Sequence, residues 1–67
     1  MSEPIGLFKT TKTTNRFGAN QKVYILEDHA NHYMIRYHHR NHHSRLVYGT
    51  ISKDANCIGK VIMFPLH

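Results

Sequence analysis

Five of the chain's seven histidines lie between residues 32 and 49, in the segment HYMIRYHHRNHHSRLVYG, together with three arginines and three tyrosines. Imidazole groups ligate metals and transfer protons, guanidinium groups bind phosphate, and tyrosine rings stack on nucleobases. The segment is therefore compatible with a metal site, a catalytic centre or a surface for nucleic acid. The spacing of its residues helps to decide between these chemistries.

A zinc site would need four ligands from His, Cys or carboxylate groups at close spacing. The histidine pairs available are His29-x2-His32, His38-x3-His42 and His39-x3-His43. An x3 spacing aligns two histidines on a helix, whereas this segment is rich in residues that favour strands. Cys57 is distant in sequence and is the only cysteine. We therefore predict no metal ligands and no cofactor.

A metal-free ribonuclease would need two histidines as general base and acid, with a cation to stabilise the transition state. The residues of these types are His38 and His43, with Arg36 or Arg45 as the cation. The four carboxylates are scattered along the chain, which argues against a metal-dependent nuclease. None of them lies near Ser44 to orient a catalytic triad. We predict that the protein is not an enzyme.

The elements that must position these side chains are strands. Four runs rich in β-branched and aromatic residues are separated by turn residues, and they cover residues 22–28, 32–39, 44–51 and 57–64. No stretch keeps a 3.6-residue period, so no helix is expected. We predict a single mostly β domain over residues 1–67, a small antiparallel meander of four or five strands curled into an SH3- or Sm-like barrel.

Residues 9–21 form a polar segment that is rich in threonine and asparagine and contains no acidic residue. We predict that this segment is a basic arm or loop, although threonine also favours a frayed edge strand. The default core residues are Val23, Ile25, Ile58, Val61, Ile62 and Phe64, with Cys57 as a small buried hydrophobe. Gly49 and Gly59 lie inside strand-like runs and are each expected to mark a bulge or bend.

The histidine-rich segment predicts a hairpin whose turn is centred on Asn41-His42. Counting outward pairs Tyr37 with Leu46 and Ile35 with Tyr48. One face then collects Tyr33, Ile35, Tyr37, Leu46, Tyr48 and Thr50, and the other collects His32, Met34, Arg36, His38, Arg45, Val47 and Gly49. This register brings Arg36 and Arg45 within diagonal reach, which costs stability unless an anion lies between them. The tyrosines are expected in the core, opposite the arginines, which argues against a base-stacking face.

The composition favours a negatively charged partner. Nine Lys or Arg residues outnumber four Asp or Glu, for a net charge of +5, and protonation of seven histidines would raise it to 5 + 7 = +12.

A single cysteine, no signal-like leader and no long apolar run indicate a cytoplasmic protein without a membrane partner. Protonation should also tighten anion binding as pH falls from about 7.5 to 6, as a titration of affinity at fixed salt would show.

These observations predict a small basic non-catalytic protein that binds the phosphate backbone of RNA or DNA through the 36–45 hairpin and the N-terminal basic arm. The predicted contact residues are Arg36, His38, Arg40, His43, Arg45, Lys9, Lys12 and Arg16. The alternative is a small regulator or inhibitor that occludes an acidic or nucleic-acid-binding surface of a larger partner. Such a regulator could be virus-encoded. An unpaired strand edge also predicts a homo-oligomer.

Overall fold

Five strands account for most of the apolar runs of the sequence. The computed structural model describes residues 3–65, and these contain no helix. The strands are β1 (Gly6–Thr10), β2 (Lys22–Asp28), β3 (His32–His38), β4 (Leu46–Ser52) and β5 (Ile58–Met63). The four predicted strand runs are confirmed, with ends that differ by one or two residues. β1 contains the last three residues of the apolar segment PIGLF, residues 4–8, and the first two residues of the basic segment.

The strands form one antiparallel sheet in the order β4-β3-β2-β1-β5. The mostly β antiparallel fold is therefore confirmed. The predicted barrel is not, because β4 and β5 are the two edges of the sheet and no ladder joins them within residues 3–65. At the β4 edge the carbonyl of Thr50 accepts a hydrogen bond from Arg16 Nη1 at 3.0 Å. A side chain from the β1–β2 connection, not a β5 amide, satisfies that group.

The inward face of the sheet follows the two-residue period of the strands. Its fully buried strand residues include Phe8, Val23, Ile25 and Ile35, and each alternates with a side chain that is at least partly exposed. Cys57 is buried in the same cluster, as predicted. Ile62 and Phe64 are 50% and 38% exposed, so their assignment to the core is wrong.

The β3–β4 register differs by one residue from the predicted one. Tyr37 is the partner of Val47, Arg36 of Tyr48 and Ile35 of Gly49. Residues 39–45 lie between the last paired residues, His38 and Leu46, and this odd number of connecting residues reverses the parity that a two- or four-residue turn would give. Burial explains the outcome, because the observed register places Ile51 in the core and keeps Arg36 outside it.

The register change turns Leu46, Tyr48 and Thr50 outward and Val47 and Ile51 inward. The predicted burial of Tyr48 is therefore wrong, because its side chain is 61% exposed. Gly49 marks no bulge, since the β3–β4 pairing runs through it without interruption. Gly59 does lie at an irregularity, opposite the register shift between Phe8 and Thr10.

The β1–β2 connection, residues 11–21, is a hydrogen-bonded loop. Thr14 Oγ1 accepts hydrogen bonds from the backbone N–H groups of Arg16 and Phe17, at 3.1 and 3.0 Å. Gln21 Oε1 accepts one from the Gly18 N–H at 2.8 Å. These bonds fold the loop back so that Phe17 enters the core, where it is 1% exposed and meets the Tyr37 ring edge-on at 4.6 Å.

Candidate nucleic-acid interface

The outward-facing side chains form a row that crosses the whole sheet. Successive cross-strand partners connect Ile62, Leu7, Tyr24, Arg36 and Tyr48. The guanidinium carbon of Arg36 lies 5.5 Å from the centroid of the Tyr24 ring, within the range of a cation–π contact. We call the last three residues, Tyr24, Arg36 and Tyr48, the tyrosine–arginine row.

A second outward row is cationic. Lys9 and Lys22 are direct cross-strand partners in β1 and β2, and both are exposed. His38, two residues beyond Arg36 on β3, is exposed on the same face. Like charges placed directly opposite each other destabilise a sheet, so this pairing weakens the unliganded fold. An anion bound between the two lysines would remove that cost.

The paired carboxylates lie at the other end of the sheet. Glu27 pairs with His29 at 2.8 Å and Asp28 pairs with Lys53 at 2.7 Å. The hydrogen bond to Asp28 raises the pKa of Lys53 above its usual value. These are the ion pairs within residues 3–65, and none of the predicted contact residues takes part in them. The cations of the outward face are therefore not neutralised by carboxylates of the described chain.

A cleft opens between the β1–β2 loop and the β3–β4 loop. Its volume is about 460 Å³, and its lining residues are Gly18, Ala19, Gln21, His38, His39, Arg40 and His43. Two side-chain hydrogen bonds join the loops: Gln21 Nε2 donates to the His38 carbonyl at 2.6 Å, and Arg40 Nη1 donates to the Thr14 carbonyl. The cleft is contiguous with the outward face because His38 belongs to both.

Two imidazoles of the cleft have their tautomers set by backbone groups. His39 Nδ1 accepts a hydrogen bond from the Asn41 N–H at 3.1 Å, so the neutral ring carries its proton on Nε2. His43 Nε2 lies 3.0 Å from the Arg40 carbonyl, which can only accept, so Nε2 is protonated and Nδ1 is free. Protonation of His43 would turn Nδ1 into a second donor.

The histidines do not assemble a metal site in the part of the chain that the structure describes. No group of three or more His, Cys, Asp or Glu side chains within residues 3–65 is placed to hold a metal ion. The His29 and His32 rings stack at 4.7 Å, and the His39 and His42 rings lie 5.2 Å apart. Four of the histidines therefore meet in pairs, at two separate turns.

The structure brings some of the predicted contact residues together. Lys9, Arg36 and His38 share the outward face, and Arg40 and His43 join His38 at the cleft. Lys12 is exposed on the β1–β2 loop. Because His38 belongs to both sets, Lys9, Arg36, His38, Arg40 and His43 border one surface that runs from the face of the sheet to the cleft.

Two predicted contact residues lie elsewhere. Arg16 is half-buried against the inward side, where Nε donates to the Tyr37 hydroxyl at 3.3 Å and the guanidinium lies over the Phe17 and Tyr37 rings. Arg45 lies across from His39, whose N–H donates to the Arg45 carbonyl at 2.9 Å. By strand alternation Arg45 is on the side of Val47, opposite Arg36. The predicted diagonal approach of Arg36 and Arg45 is therefore wrong.

Three residues of the outward face were missed from the sequence. Lys22 and Tyr24 alternate with Val23 and Ile25, so the two-residue period of KVYILED already places them together on the outside. That signal was available. The position of Tyr48 was not, because it depends on the parity of the β3–β4 connection.

Residues 3–65 include no helix of the length and apolar character needed to cross a membrane. Comparison of the chain with protein-family models, with curated proteins and with solved structures finds no match in any of the three. The function is therefore inferred from the geometry and charge of the outward face and the cleft.

Proposed function

We propose that this protein is a small, non-catalytic, basic binding protein of the cytoplasm that contacts the phosphate backbone of RNA or DNA. The observation that carries the proposal is the outward face of the sheet, where Lys9, Lys22 and Arg36 lie without a carboxylate partner among residues 3–65. Clustered cations that the chain itself does not neutralise are the electrostatic footprint expected for a polyanion.

The cleft extends this contact surface. A phosphate seated between the two loops would meet the Arg40 guanidinium and the Nε2–H donor of His39, and a protonated His43 would add its Nδ1–H, while His38 connects the cleft to the sheet. Lys12 and Arg45 are exposed on the two loops, and we include them as contacts for phosphates outside the cleft, with Arg45 on the opposite side of the hairpin from Arg36. In this proposal Arg16 acts on the loop, which it fixes to Tyr37 and Thr50, rather than on the ligand.

The dependence of affinity on salt tests the proposal. A protein that neutralises several phosphates releases the same number of bound counterions, so log Kd should rise linearly with log salt. Replacing Lys22 with glutamine should reduce that slope by roughly 0.7 to 0.9, the contribution of one phosphate contact. Fluorescence anisotropy of a labelled oligonucleotide, titrated at salt concentrations from about 50 to about 200 mM, measures the salt slope of each protein.

Lys53→Gln is the matched control, since it removes one positive charge at the carboxylate end of the sheet. Its slope should equal that of the unmodified protein. If both variants reduce the slope equally, the net charge and not the outward face attracts the oligonucleotide, and the assigned surface is wrong. The oligonucleotide should also be recovered at full length, because cleavage of the RNA would contradict a non-catalytic role.

The alternative proposal is a small regulator or inhibitor that covers an acidic or nucleic-acid-binding surface of a larger protein. Its support is the exposure of Leu46, Ile62, Met63 and Phe64, because large apolar side chains contribute to protein interfaces. A well-packed protein interface loses less affinity with salt than a phosphate contact does. A shallow salt dependence with an acidic protein, and no affinity for oligonucleotides, would favour this alternative.

We also propose that the protein self-associates. Among residues 3–65, β4 and β5 are the two edge strands of the sheet, each paired on one side, and both carry exposed apolar side chains. A second copy could pair with either edge, or the two edges could approach each other and complete an SH3- or Sm-like barrel. Sedimentation equilibrium at micromolar concentration tests self-association, and a monomer mass would contradict it.

A further inference from the structure

The tyrosine–arginine row combines aromatic and cationic groups at adjacent strand positions. Tyr24 is the partner of Arg36, and Arg36 is the partner of Tyr48. Because neighbouring strands lie about 4.8 Å apart, the backbones of the two tyrosines are roughly 10 Å apart with that of Arg36 between them. Arg36 is half-buried over the Tyr24 ring, and Tyr48 presents most of its ring to solvent.

An exposed aromatic ring in the middle of β4 requires an explanation. The outward face of an antiparallel sheet is usually polar when water covers it, whereas here Leu7, Tyr24, Tyr48 and Ile62 lie along one line. Tyr48 is 61% exposed, so its ring contributes little to the core. The row is therefore better suited to a flat ligand than to stabilising the fold.

The neighbouring cations select the kind of ligand. Lys9 follows Leu7 by two residues in β1, and Lys22 precedes Tyr24 by two residues in β2. In each strand this spacing is roughly 6.6 Å. A ligand with flat rings on the tyrosines would thus place attached anionic groups near the lysines. An uncharged apolar protein surface would leave these lysines facing it without a partner. Charge complementarity therefore favours a polyanion that carries exposed rings.

We propose that Tyr24, Arg36 and Tyr48 form a stacking platform for unpaired bases, so that the protein binds single-stranded nucleic acid in preference to a duplex, with Lys9 and Lys22 contacting the adjoining phosphates. This inference rests on the proposed function and specifies its substrate class. Bases stack on tyrosine rings and on arginine planes through faces that are accessible only when the strand is unpaired. A duplex offers its phosphates to the lysines but keeps its base faces covered.

The test compares a labelled single-stranded oligonucleotide with the duplex of the same sequence in anisotropy titrations at low salt. The unmodified protein should bind the single strand more tightly. Tyr48→Leu should weaken single-strand binding about 5- to 150-fold, the range for loss of one stacked base. Its salt slope should stay unchanged, because no phosphate contact is lost. Tyr48→Phe is the matched control and should bind within about twofold of the unmodified protein, since it keeps the ring.

Tyrosine fluorescence supplies a second readout, because the chain contains no tryptophan. Stacking of a base on Tyr24 and Tyr48 should quench part of the emission when the single strand is added. The double variant Tyr24→Phe, Tyr48→Phe should bind but show little of that quenching. A thermal unfolding curve for each variant verifies that it is folded.

The outcomes separate this inference from the proposed function. Equal affinity for single strand and duplex, or unchanged single-strand affinity in Tyr48→Leu, would overturn the stacking platform while leaving the phosphate contacts in place. If Tyr48→Leu changes the sedimentation mass but not oligonucleotide binding, the row is a contact between copies and the inference is wrong. Failure of the unmodified protein to bind any oligonucleotide would overturn the proposed function as well.

Discussion

Replacement of Phe17 with alanine is expected to lower the free energy of unfolding by about 3–5 kcal/mol, the range for truncation of a buried phenylalanine. The ring is 1% exposed and packs edge-on against Tyr37 at 4.6 Å. Its removal would leave a cavity between the β1–β2 loop and the sheet. It would also remove the aromatic ring that lies 5.0 Å from the Arg16 guanidinium.

This loss is large for a chain of 67 residues, because a domain of that size has about 3–10 kcal/mol of stability in total. Urea denaturation followed by circular dichroism should show a midpoint close to zero denaturant, or no cooperative transition. Phe64→Ala is the matched control, since its ring is 38% exposed, and it should cost less than about 1 kcal/mol. Similar losses in the two variants would show that the loop is not anchored by Phe17.

Replacement of Lys22 with glutamate is expected to stabilise the free protein and to impair its function. The change converts the like-charge pair with Lys9 into a cross-strand pair of opposite charges, which is worth about 0.2–1 kcal/mol. It also places a carboxylate where we propose that a phosphate binds. Like charges brought together in a complex cost several kcal/mol, so affinity for an oligonucleotide should fall at least about tenfold.

The two measurements are urea denaturation and the anisotropy titration described above. Lys53→Glu is the mirror control, because it breaks the pair with Asp28 at the carboxylate end. It should destabilise the protein and leave oligonucleotide binding nearly unchanged. If Lys22→Glu weakens binding no more than Lys53→Glu does, then Lys22 does not contact the ligand.

Local patterns of the sequence predict the strands and most of the core. The alternation of Val23 and Ile25 with Lys22 and Tyr24 identifies β2 and its buried side, and Cys57 and Gly59 have the expected burial and irregularity. These features depend on residues that are close together in the chain. They therefore need no knowledge of how distant segments meet.

The features that the sequence did not predict depend on distant contacts. The face on which Tyr48 lies is set by the pairing of β4 with β3, and a one-residue difference in that pairing moved Tyr48 from the expected core to the outside. Phe17 occurs in a polar run with no periodic pattern, so nothing local identifies it as a core residue. The cations Lys9, Arg36 and His38 of the proposed interface were named from the sequence, whereas the predicted register of the hairpin that positions them was wrong.

The separation of charge along the sheet has a consequence for the kinetics of encounter. Lys22 and Asp28 are the two ends of β2, so the cations that are unpaired within residues 3–65 lie roughly 20 Å from the carboxylates, which have cationic partners of their own. Positive charge is therefore concentrated at one end, and this uneven distribution gives the molecule a dipole. In the field of a polyanion this dipole would turn the cationic end forward before contact. Association should therefore be fast and strongly slowed by added electrolyte, whereas the lifetime of the complex, set by short-range contacts, should change much less.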